Sequence, residues 1–374
     1  MKIGFDAKRA FHNRTGLGNY ARFVLNALAQ HAPTERLCLY TPSIGTQLSN
    51  GGTPLLDFAR LPPTVFQQKL HPIWRSFWVV DQLKKDQIEV FHGLSNELPV
   101  GLQQNGIKSV VTIHDLIFER YPQLFPAIDR FFYRQKFKAA CSQADIVVAV
   151  SQQTKRDIVA YYGIAPSRIE VVYQDCDDIF KQRLSENELV AVKQKYALTD
   201  PYILSVGSIE TRKNQLQLVR AFRAANLPNA QLVLVGRATN YQTQIEKYIE
   251  EHKLGQRVRI LNGVTFADLP ALYQAAKLAA YVSIFEGFGI PVVEALHSGV
   301  PVLAATGSCL EESGGGGGLY VDPFSETDMA QKLQNIWSDA ALRQQLVADG
   351  QRHVAQFAAP LVAAQLVKLY HSLG

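Results

Sequence analysis

Two glutamates frame a short turn in the stretch FEGFGIPVVEA, residues 285–295, and both could bind a ligand. The turn follows the apolar run LAAYVSI and precedes a helical pattern, so a buried strand ends there and a helix begins. Folding does not require a carboxylate at Glu286, which could accept hydrogen bonds from ligand hydroxyls. Glu294 falls in the first turns of the helix, where a carboxylate also gains from the helix dipole. The two side chains could therefore face different parts of one elongated ligand.

The same turn also offers backbone donors. Gly287 and Gly289 allow a sharp bend, and Pro291 suits the first helical turn, where its missing N–H costs nothing. Backbone N–H groups at the start of this helix could hold an anion. They belong to Phe288, Gly289 and Ile290.

Two adjacent cations, Arg212 and Lys213, end the stretch VGSIETRKN, residues 206–214. They precede a helical pattern, and the helix dipole disfavours positive side chains there unless an anion lies between them. This arrangement indicates a phosphate site, with solvated surface cations as the alternative.

Two other strand ends carry weaker signals. Gly16 and Gly18 in RTGLGNY could let backbone N–H groups approach a phosphate, although a tight turn into a helix explains them equally well. His114 follows the apolar run SVVTI, where side chains at the carboxyl end of a strand face a ligand crevice. A structural histidine that caps the next segment is the open alternative.

The whole chain reads as two α/β domains. Its 374 residues are 47% hydrophobic and 19% charged, which excludes a disordered chain and allows large cores. Apolar runs alternate with helical patterns twice, with a polar break near residues 173–200. We predict two Rossmann-like domains whose parallel sheets face each other across a cleft. The N-terminal domain is predicted to span residues 1–175 and the C-terminal domain residues 176–374, with a last helix that could pack back on the N-terminal domain. The predicted strands are IGFDA, LCLY, VFHG, SVVTI, IVVAVS, YILSVGS, QLVLVG, VRILNGV, LAAYVSI and VPVLAAT.

Charge and cysteine usage indicate a cytoplasmic protein. The four cysteines are far apart and none has metal-ligand spacing, which favours a reducing compartment. The start MKIGFDAKRAF has no apolar signal region, and no apolar run reaches the ~18–20 residues of a membrane span. A formal net charge of +5 fits an anionic ligand or a membrane surface, and we expect no nucleic-acid partner.

The stretch FEGFGIPVVEALHSGVPVLA resembles the signature of glycosyltransferase family 4, whose members are retaining enzymes of the GT-B fold. Their motif is a glutamate, seven residues and a second glutamate. TGLGNYAR resembles the first glycine-rich loop of the family, VGSIETRKN its phosphate loop, and TIHDLIFERYP and ADIVVAVSQQTKRDI strand ends of its N-terminal domain. The similarity extends over nearly the whole chain.

The resemblance implies a role for each candidate residue. Glu294 would hydrogen-bond the ribose of a nucleotide-sugar donor, and Glu286 the hydroxyls of the transferred sugar. Lys213, with Arg212, would neutralise the diphosphate leaving group, and His114 would reach the donor sugar. Backbone at the two glycine-rich turns would contact the sugar and the diphosphate, through Gly16, Gly18, Phe288, Gly289 and Ile290. No cofactor or metal is expected.

Three positions depart from the family pattern. Relatives often have arginine where this chain has Ser208 in the phosphate loop, and Arg212 could supply that charge. A run of five glycines, residues 314–318, follows Glu312, and we expect a mobile loop there, as a surface linker in preference to a substrate lid. Asp175-Cys176-Asp177 matches the Asp-X-Asp of metal-dependent transferases, an alternative that would bring a divalent cation to the diphosphate.

Two aromatic and basic stretches, HPIWRSFWVVDQLKK and RFFYRQKFK, lie in the predicted N-terminal domain. They could rest on an anionic membrane interface, or they could be core helices whose cations reach solvent. The first alternative would place a cytoplasmic protein at the inner membrane face.

The residues and the resemblance together predict a retaining, metal-independent glycosyltransferase. It would move a hexose from a nucleotide sugar to a glycan or lipid-linked glycan in polysaccharide or lipopolysaccharide synthesis. The phosphate loop Glu-Thr-Arg-Lys-Asn is similar to that of mannosyltransferases that use GDP-mannose, which favours GDP-mannose over UDP-sugars as the donor. The alternatives are a nucleotide-sugar 2-epimerase of the same architecture and a non-catalytic nucleotide- or glycan-binding protein.

Overall fold

The computed structural model describes residues 1–45 and 54–374. The chain divides into two compact units. The first unit contains residues 1–175 together with 357–374, and the second contains residues 176–356.

The first unit is built on a seven-stranded parallel sheet in the order β3-β2-β1-β4-β5-β6-β7. Its strands are β1 (Lys2–Asp6), β2 (Arg36–Tyr40), β3 (Ala59–Arg60), β4 (Val90–Gly93), β5 (Lys108–Ile113), β6 (Ile146–Ala149) and β7 (Ile169–Val171). The five strands predicted in this half are confirmed. The short strands β3 and β7 were not predicted, because runs of two and three residues show too little periodicity.

Helices connect these strands. They are α1 (Lys8–His12), α2 (Gly16–His31), α3 (Val65–Lys69), α4 (His71–Ile73), a π-helical turn (Trp74–Trp78), α5 (Val79–Lys85), α6 (Ile117–Arg120), α7 (Ala127–Gln143) and α8 (Gln152–Tyr162). The face of α2 predicted to be apolar, formed by Tyr20, Val24, Ala27 and Leu28, is buried.

The second unit has a six-stranded parallel sheet in the order β10-β9-β8-β11-β12-β13. Its strands are β8 (Tyr202–Val206), β9 (Gln231–Val235), β10 (Val258–Leu261), β11 (Leu278–Tyr281), β12 (Val302–Ala305) and β13 (Gly318–Val321). The near-continuous apolar runs that predicted five of these strands reflect burial on both faces, and β9 and β12 have no exposed residue. The second unit thus confirms the prediction of a parallel sheet.

Its helices surround this sheet, and one more helix closes the first unit. The helices of the second unit are α9 (Glu186–Lys195), α10 (Gln215–Ala225), α11 (Gln242–Glu251), α12 (Leu269–Ala275), α13 (Ile290–His297), α14 (Leu310–Gly314), α15 (Glu326–Ser338) and α16 (Ala340–Val354). The last helix, α17 (Ala359–His371), belongs to the first unit. Its Tyr370 hydroxyl lies 2.7 Å from Nδ1 of His92 on β4.

The expectation of a mobile linker at residues 314–318 is wrong. Gly314 ends α14, residues 315–317 form a 3-10 turn, and Gly318 begins β13. A Cβ atom on Gly317 would lie 2.4 Å from Cα of Gly350, so the turn packs directly on the backbone of α16. Gly315 has a φ of +49°, which also favours glycine. Close packing, and not flexibility, therefore explains the glycines.

Each sheet has a point where the strand order reverses. In the first unit this switch point lies between β1 and β4, and in the second it lies between β8 and β11. Ligands of open parallel sheets bind beside such points, at the carboxyl ends of the strands. In the described part of the chain, no helix combines the length and the apolar character that a membrane span needs.

Candidate functional site

The pairing of β8 with β11 brings two of the predicted turns together in the second unit. Leu278 pairs with Ile203 and Ala279 with Leu204, so the two strands end side by side. The turn after β8 contains the predicted phosphate loop, and the turn after β11 contains Glu286. Residues about 73 positions apart in sequence thereby become neighbours.

Glu286 binds both predicted cations of the phosphate loop. Nζ of Lys213 lies 2.6 Å from Oε1 of Glu286, and Nη1 of Arg212 lies 2.7 Å from the same oxygen. The Glu286 residue is only 8% exposed. Burial alone would raise the pKa of this carboxyl group, but Lys213 and Arg212 outweigh burial and lower the pKa to about 2. Glu286 is therefore a buried carboxylate that stays ionised at neutral pH.

The remaining donors to Glu286 also converge on one oxygen. The Tyr281 hydroxyl donates to Oε1 at 3.0 Å and the Ser283 hydroxyl at 2.5 Å. Among the described residues, no donor reaches Oε2 of Glu286. The arrangement fixes the carboxylate through one oxygen and leaves the other available to a ligand hydroxyl.

Lys213 and Arg212 differ in how many of their N–H donors already have protein acceptors. Arg212 donates to the backbone oxygen of Phe285 at 2.6 Å and pairs with Glu210 at 2.8 Å. Lys213 donates to Glu286 and to the hydroxyl of Tyr281. An ammonium group has three N–H donors, so one donor of Lys213 remains for an anion. Lys213 is thus the cation best able to contact a bound phosphate.

Glu294 lies on α13, one turn from the helix start, and is 7% exposed. The Tyr273 hydroxyl donates to its Oε2 at 3.1 Å. Burial raises the pKa of Glu294 to about 7, while the Tyr273 hydrogen bond opposes the rise. Glu294 therefore changes its charge near neutral pH, in contrast to Glu286.

The start of α13 is the second glycine-rich turn of the site. Gly289 caps the helix with a φ of +98°, and a Cβ atom there would lie 2.5 Å from Leu310, so this position requires glycine. The first-turn N–H groups of a helix have no intrahelical acceptor. The Phe288 side chain is buried beside this turn, at 3% exposure. Ser208 lies between β8 and the cations, and its backbone oxygen accepts from Gln215 at 2.9 Å.

The other three candidates lie in the first unit. Gly16 and Gly18 fall in the first turn of α2, where a Cβ atom on Gly18 would lie 1.9 Å from the backbone oxygen of Asn13. His114 is 8% exposed, and its Nε2 lies 2.9 Å from the backbone oxygen of Leu94. That contact makes Nε2 the protonated nitrogen of a neutral ring. Burial lowers the pKa of His114 to about 4, so the ring is neutral at pH 7.

The two aspartates of the alternative metal motif belong to different units. Asp175 ends the first segment of the first unit, and Asp177 lies in the second unit. The Asp177 carboxylate accepts the N–H of Ile179 at 3.1 Å and caps a 3-10 turn. A local structural role thus accounts for Asp177.

Sequence reasoning missed the tyrosines and the serine that hold the two glutamates. Tyr281 and Ser283 are two residues apart at the end of β11, so their side chains share a side of the strand. Polar groups at this spacing within an apolar run were the available signal. Tyr273 sits in α12 without a comparable signal.

Two family models match the chain and together cover most of it. The model "Glycosyltransferase Family 4" matches residues 14–175, and the model "Glycosyl transferases group 1" matches residues 188–353. The chain belongs to glycosyltransferase family 4 and has the GT-B fold. It is a glycosyltransferase, as the motifs predicted.

The chain is also similar in sequence to curated glycosyltransferases. The chain is 28% identical to O-antigen chain mannosyltransferase B of Escherichia coli, over all of both chains. It is 27% identical to O-antigen chain mannosyltransferase RfbU of Salmonella typhimurium, over 60% of each. A Campylobacter jejuni N-acetylgalactosamine-N,N'-diacetylbacillosaminyl-diphospho-undecaprenol 4-alpha-N-acetylgalactosaminyltransferase is 28% identical over 54% of this chain and 53% of its own.

Solved structures share the fold over the full length. HepE of Anabaena, in complex with UDP-glucose, superposes with a TM-score of 0.77 at 19% identity and covers all of both chains. Sucrose-phosphate synthase of Thermosynechococcus elongatus gives 0.76 at 22% identity, over 100% of this chain and 99% of its own.

The hydrogen bond from Tyr273 sets the charge of Glu294. Because that bond stabilises the carboxylate, Tyr273→Phe should raise the pKa of Glu294 further above its value of about 7. Carbon-13 NMR of labelled glutamate carboxyl groups measures the titration, and the Glu294→Gln spectrum assigns the signal. Titration of Glu294 below pH 5 in the unmodified protein, or a lower pKa in the variant, would contradict this account.

Proposed function

We propose that the protein is a retaining mannosyltransferase that works without a metal ion. It transfers mannose from GDP-mannose to a glycan or lipid-linked glycan during polysaccharide synthesis, in a pathway such as O-antigen assembly. The names of the Escherichia coli and Salmonella relatives support mannose as the sugar and the O-antigen as the product. The cluster of Lys213, Arg212 and Glu286 carries the proposal.

The second unit would bind the donor through this cluster. Lys213 offers its remaining N–H to the diphosphate, and the backbone donors at the start of α13 contact the same charge. Fixed cations and helix N-termini stabilise charge that develops on a leaving group without reorganisation during the reaction. These groups would take the place of a divalent cation.

The two glutamates would recognise the two ends of the donor. Oε2 of Glu286, which no described residue contacts, would accept a hydrogen bond from a mannose hydroxyl. Glu294 would accept from the ribose hydroxyls, more effectively above pH 7 where it is ionised. His114, which is neutral at pH 7, would accept a hydrogen bond from a sugar hydroxyl at Nδ1. It would not act as a general acid.

Transfer would proceed on one face of the sugar. The bond between the anomeric carbon and the phosphate oxygen breaks, the acceptor oxygen forms the new bond, and its proton moves to the departing phosphate. Positive charge on the sugar in the transition state lies close to the Glu286 carboxylate, whose pKa of about 2 keeps it negative. This route needs no covalent intermediate with the enzyme.

Replacing Lys213 with alanine should lower kcat roughly 10²- to 10³-fold, the usual loss for one preorganised charge-stabilising donor. Glu286→Ala should have a comparable effect, because it removes the sugar contact and the carboxylate that Lys213 and Arg212 share. The assay follows transfer from radiolabelled GDP-mannose in EDTA, with NMR of the product to assign the anomer. Lys247→Ala, an exposed cation in the same unit, is the matched control.

Near-normal turnover in both site variants would refute the site assignment, and an inverted anomer would refute retention. Product formed without an acceptor would favour the 2-epimerase alternative. Tight nucleotide binding with no turnover would favour a non-catalytic role.

An aromatic surface on the first unit supports contact with a membrane. Helix α7 buries only Ala140 and Cys141, so most of its apolar side chains face outward. The aromatic surface consists of Val65 (69% exposed), Phe66 (65%), Phe77 (55%), Ile128 (71%), Phe131 (57%), Phe132 (56%) and Tyr133 (40%). Buried Trp74 and Val79 show that the stretch 71–85 also supplies part of the core.

Charge favours a lipid surface as the partner of this face. Helix α7 carries four cations and one carboxylate, and Lys136 on α7 and Arg75 in the π-helical turn both contact Glu97, at 3.5 and 3.4 Å. Glu97 therefore contacts both apolar segments. Aromatic side chains among cations bind anionic lipid interfaces. We propose that the aromatic surface rests on an anionic membrane.

Phe131→Ser with Phe132→Ser should reduce binding to vesicles that contain 30% phosphatidylglycerol, because it removes buried apolar area. Co-sedimentation measures the bound fraction. Phe324→Ser, which changes an equally exposed phenylalanine in the second unit, is the control and should bind as the unmodified protein does. Equal binding by all three proteins would refute this surface.

A further inference from the structure

The switch point of the first unit carries a group of cations that the donor site does not use. Asp6 is the last residue of β1, and Lys8 and Arg9 follow it on α1. Glu97 follows β4, the strand that pairs with β1. Ligands of open parallel sheets bind at this position, so the chemistry of these side chains indicates what would bind here.

An ion-pair frame holds the group in place. Arg75 pairs with the Asp6 carboxylate and lies 3.4 Å from Glu97. The backbone N–H of Lys8 donates to Asp6 at 3.2 Å, which ties α1 to the same carboxylate. The cavity beside this frame measures about 30 Å³, room for about one water molecule, so a larger ligand would bind outside it.

Among the described residues, some nitrogens around the frame have no hydrogen-bond partner. They include Nε of Arg75 and Nδ1 of His71, which are both buried. Among the described residues, the side chains of Lys8 and Arg9 form neither a hydrogen bond nor an ion pair. Both are half-buried, so solvent only partly compensates their charge. Buried polar groups normally have partners, so these two buried nitrogens, next to two half-buried cations, indicate a missing acceptor.

The local charge is also unbalanced. Burial lowers the pKa of Lys8, and the neighbouring Arg75 and Arg9 lower it further. Burial lowers the pKa of His71, followed by the effects of Lys8, Arg75 and His12. The carboxylates that face Lys8 are Asp6 and Glu97, and Glu97 is shared with Lys136. Lys8 and Arg9 thus form no ion pair with a carboxylate of the described residues.

We propose that Lys8, Arg9 and His71, arranged around the Asp6–Arg75 pair, bind the diphosphate group of a lipid-linked acceptor. This inference rests on the proposed function for the identity of the acceptor. A diphosphate supplies the several acceptor oxygens and the negative charge that the group lacks. The Campylobacter relative acts, by its name, on a diphospho-undecaprenol glycan.

Two neighbours fit this assignment. Arg75 and Lys136 link the group, through Glu97, to the aromatic surface, so a lipid in the membrane would lie next to its own diphosphate site. Arg9 also contributes to the lowered pKa of His114, after burial, which places the cations within electrostatic reach of the predicted donor-sugar contact. The diphosphate remains on the acceptor and takes no part in bond breaking.

The test measures calorimetric binding of decyl diphosphate in a Lys213→Ala background, which removes the free donor of the donor site. Lys8→Ala with Arg9→Ala should weaken binding roughly tenfold or more, since two charge-assisted contacts are lost. Lys108→Ala with Lys368→Ala removes the same charge from exposed positions of the same unit and should leave the affinity unchanged. Lys8→Arg with Arg9→Lys should restore most of the affinity, and unchanged circular dichroism shows that the fold is intact.

Equal affinity in the Lys8/Arg9 alanine variant and its control would overturn the proposal. Binding of inorganic pyrophosphate as tightly as decyl diphosphate would overturn the lipid assignment, because the group would then serve free phosphate. Weaker binding of decyl maltoside in the same variant would show a loss of apolar contacts, and would also overturn it. This binding measurement needs no sugar donor. It would therefore still test the diphosphate site if the protein did not transfer mannose.

Discussion

The buried carboxylate of Glu286 is the interaction on which the donor site depends. Two cations and two hydroxyls converge on one of its oxygens, and they come from turns after two different strands. An ion in this position is costly to bury unless it is paired and hydrogen-bonded. The pairing therefore couples the phosphate loop to the glutamate turn, and loss of Glu286 would remove the carboxylate that both cations share.

The same constraint gives the two glutamates different chemistry. Glu286 has cationic partners and remains ionised. Among the described residues, Glu294 has a tyrosine donor and no cationic partner, and burial raises its pKa to about 7. The difference arises from neighbours, because both residues are almost completely buried. One carboxylate is suited to a permanent charge beside the reacting sugar, and the other to hydrogen bonding that depends on pH.

The local sequence pattern was sufficient to predict much of the fold and part of the site. Long apolar runs predicted ten strands, and the glutamate motif and the adjacent cations indicated where the site lies. The contact between Lys213 and Glu286 could not be predicted from residues alone, because it depends on the pairing of β8 with β11. The proximity of Lys8 and Arg75 could not be predicted for the same reason. Only the strand order of the first sheet brings their elements together. The glycines at 314–318 were misjudged because composition suggested flexibility, while the packing of α16 requires the absence of side chains.

The measurement that tests the central claim most directly is calorimetric binding of GDP, UDP and ADP in EDTA. The account predicts clear binding without metal, with a preference for GDP, because Lys213 and the start of α13 supply the charge that a cation would otherwise provide. Binding only after addition of a divalent cation would contradict metal-independent binding. It would favour the alternative in which Asp175 and Asp177 are metal ligands.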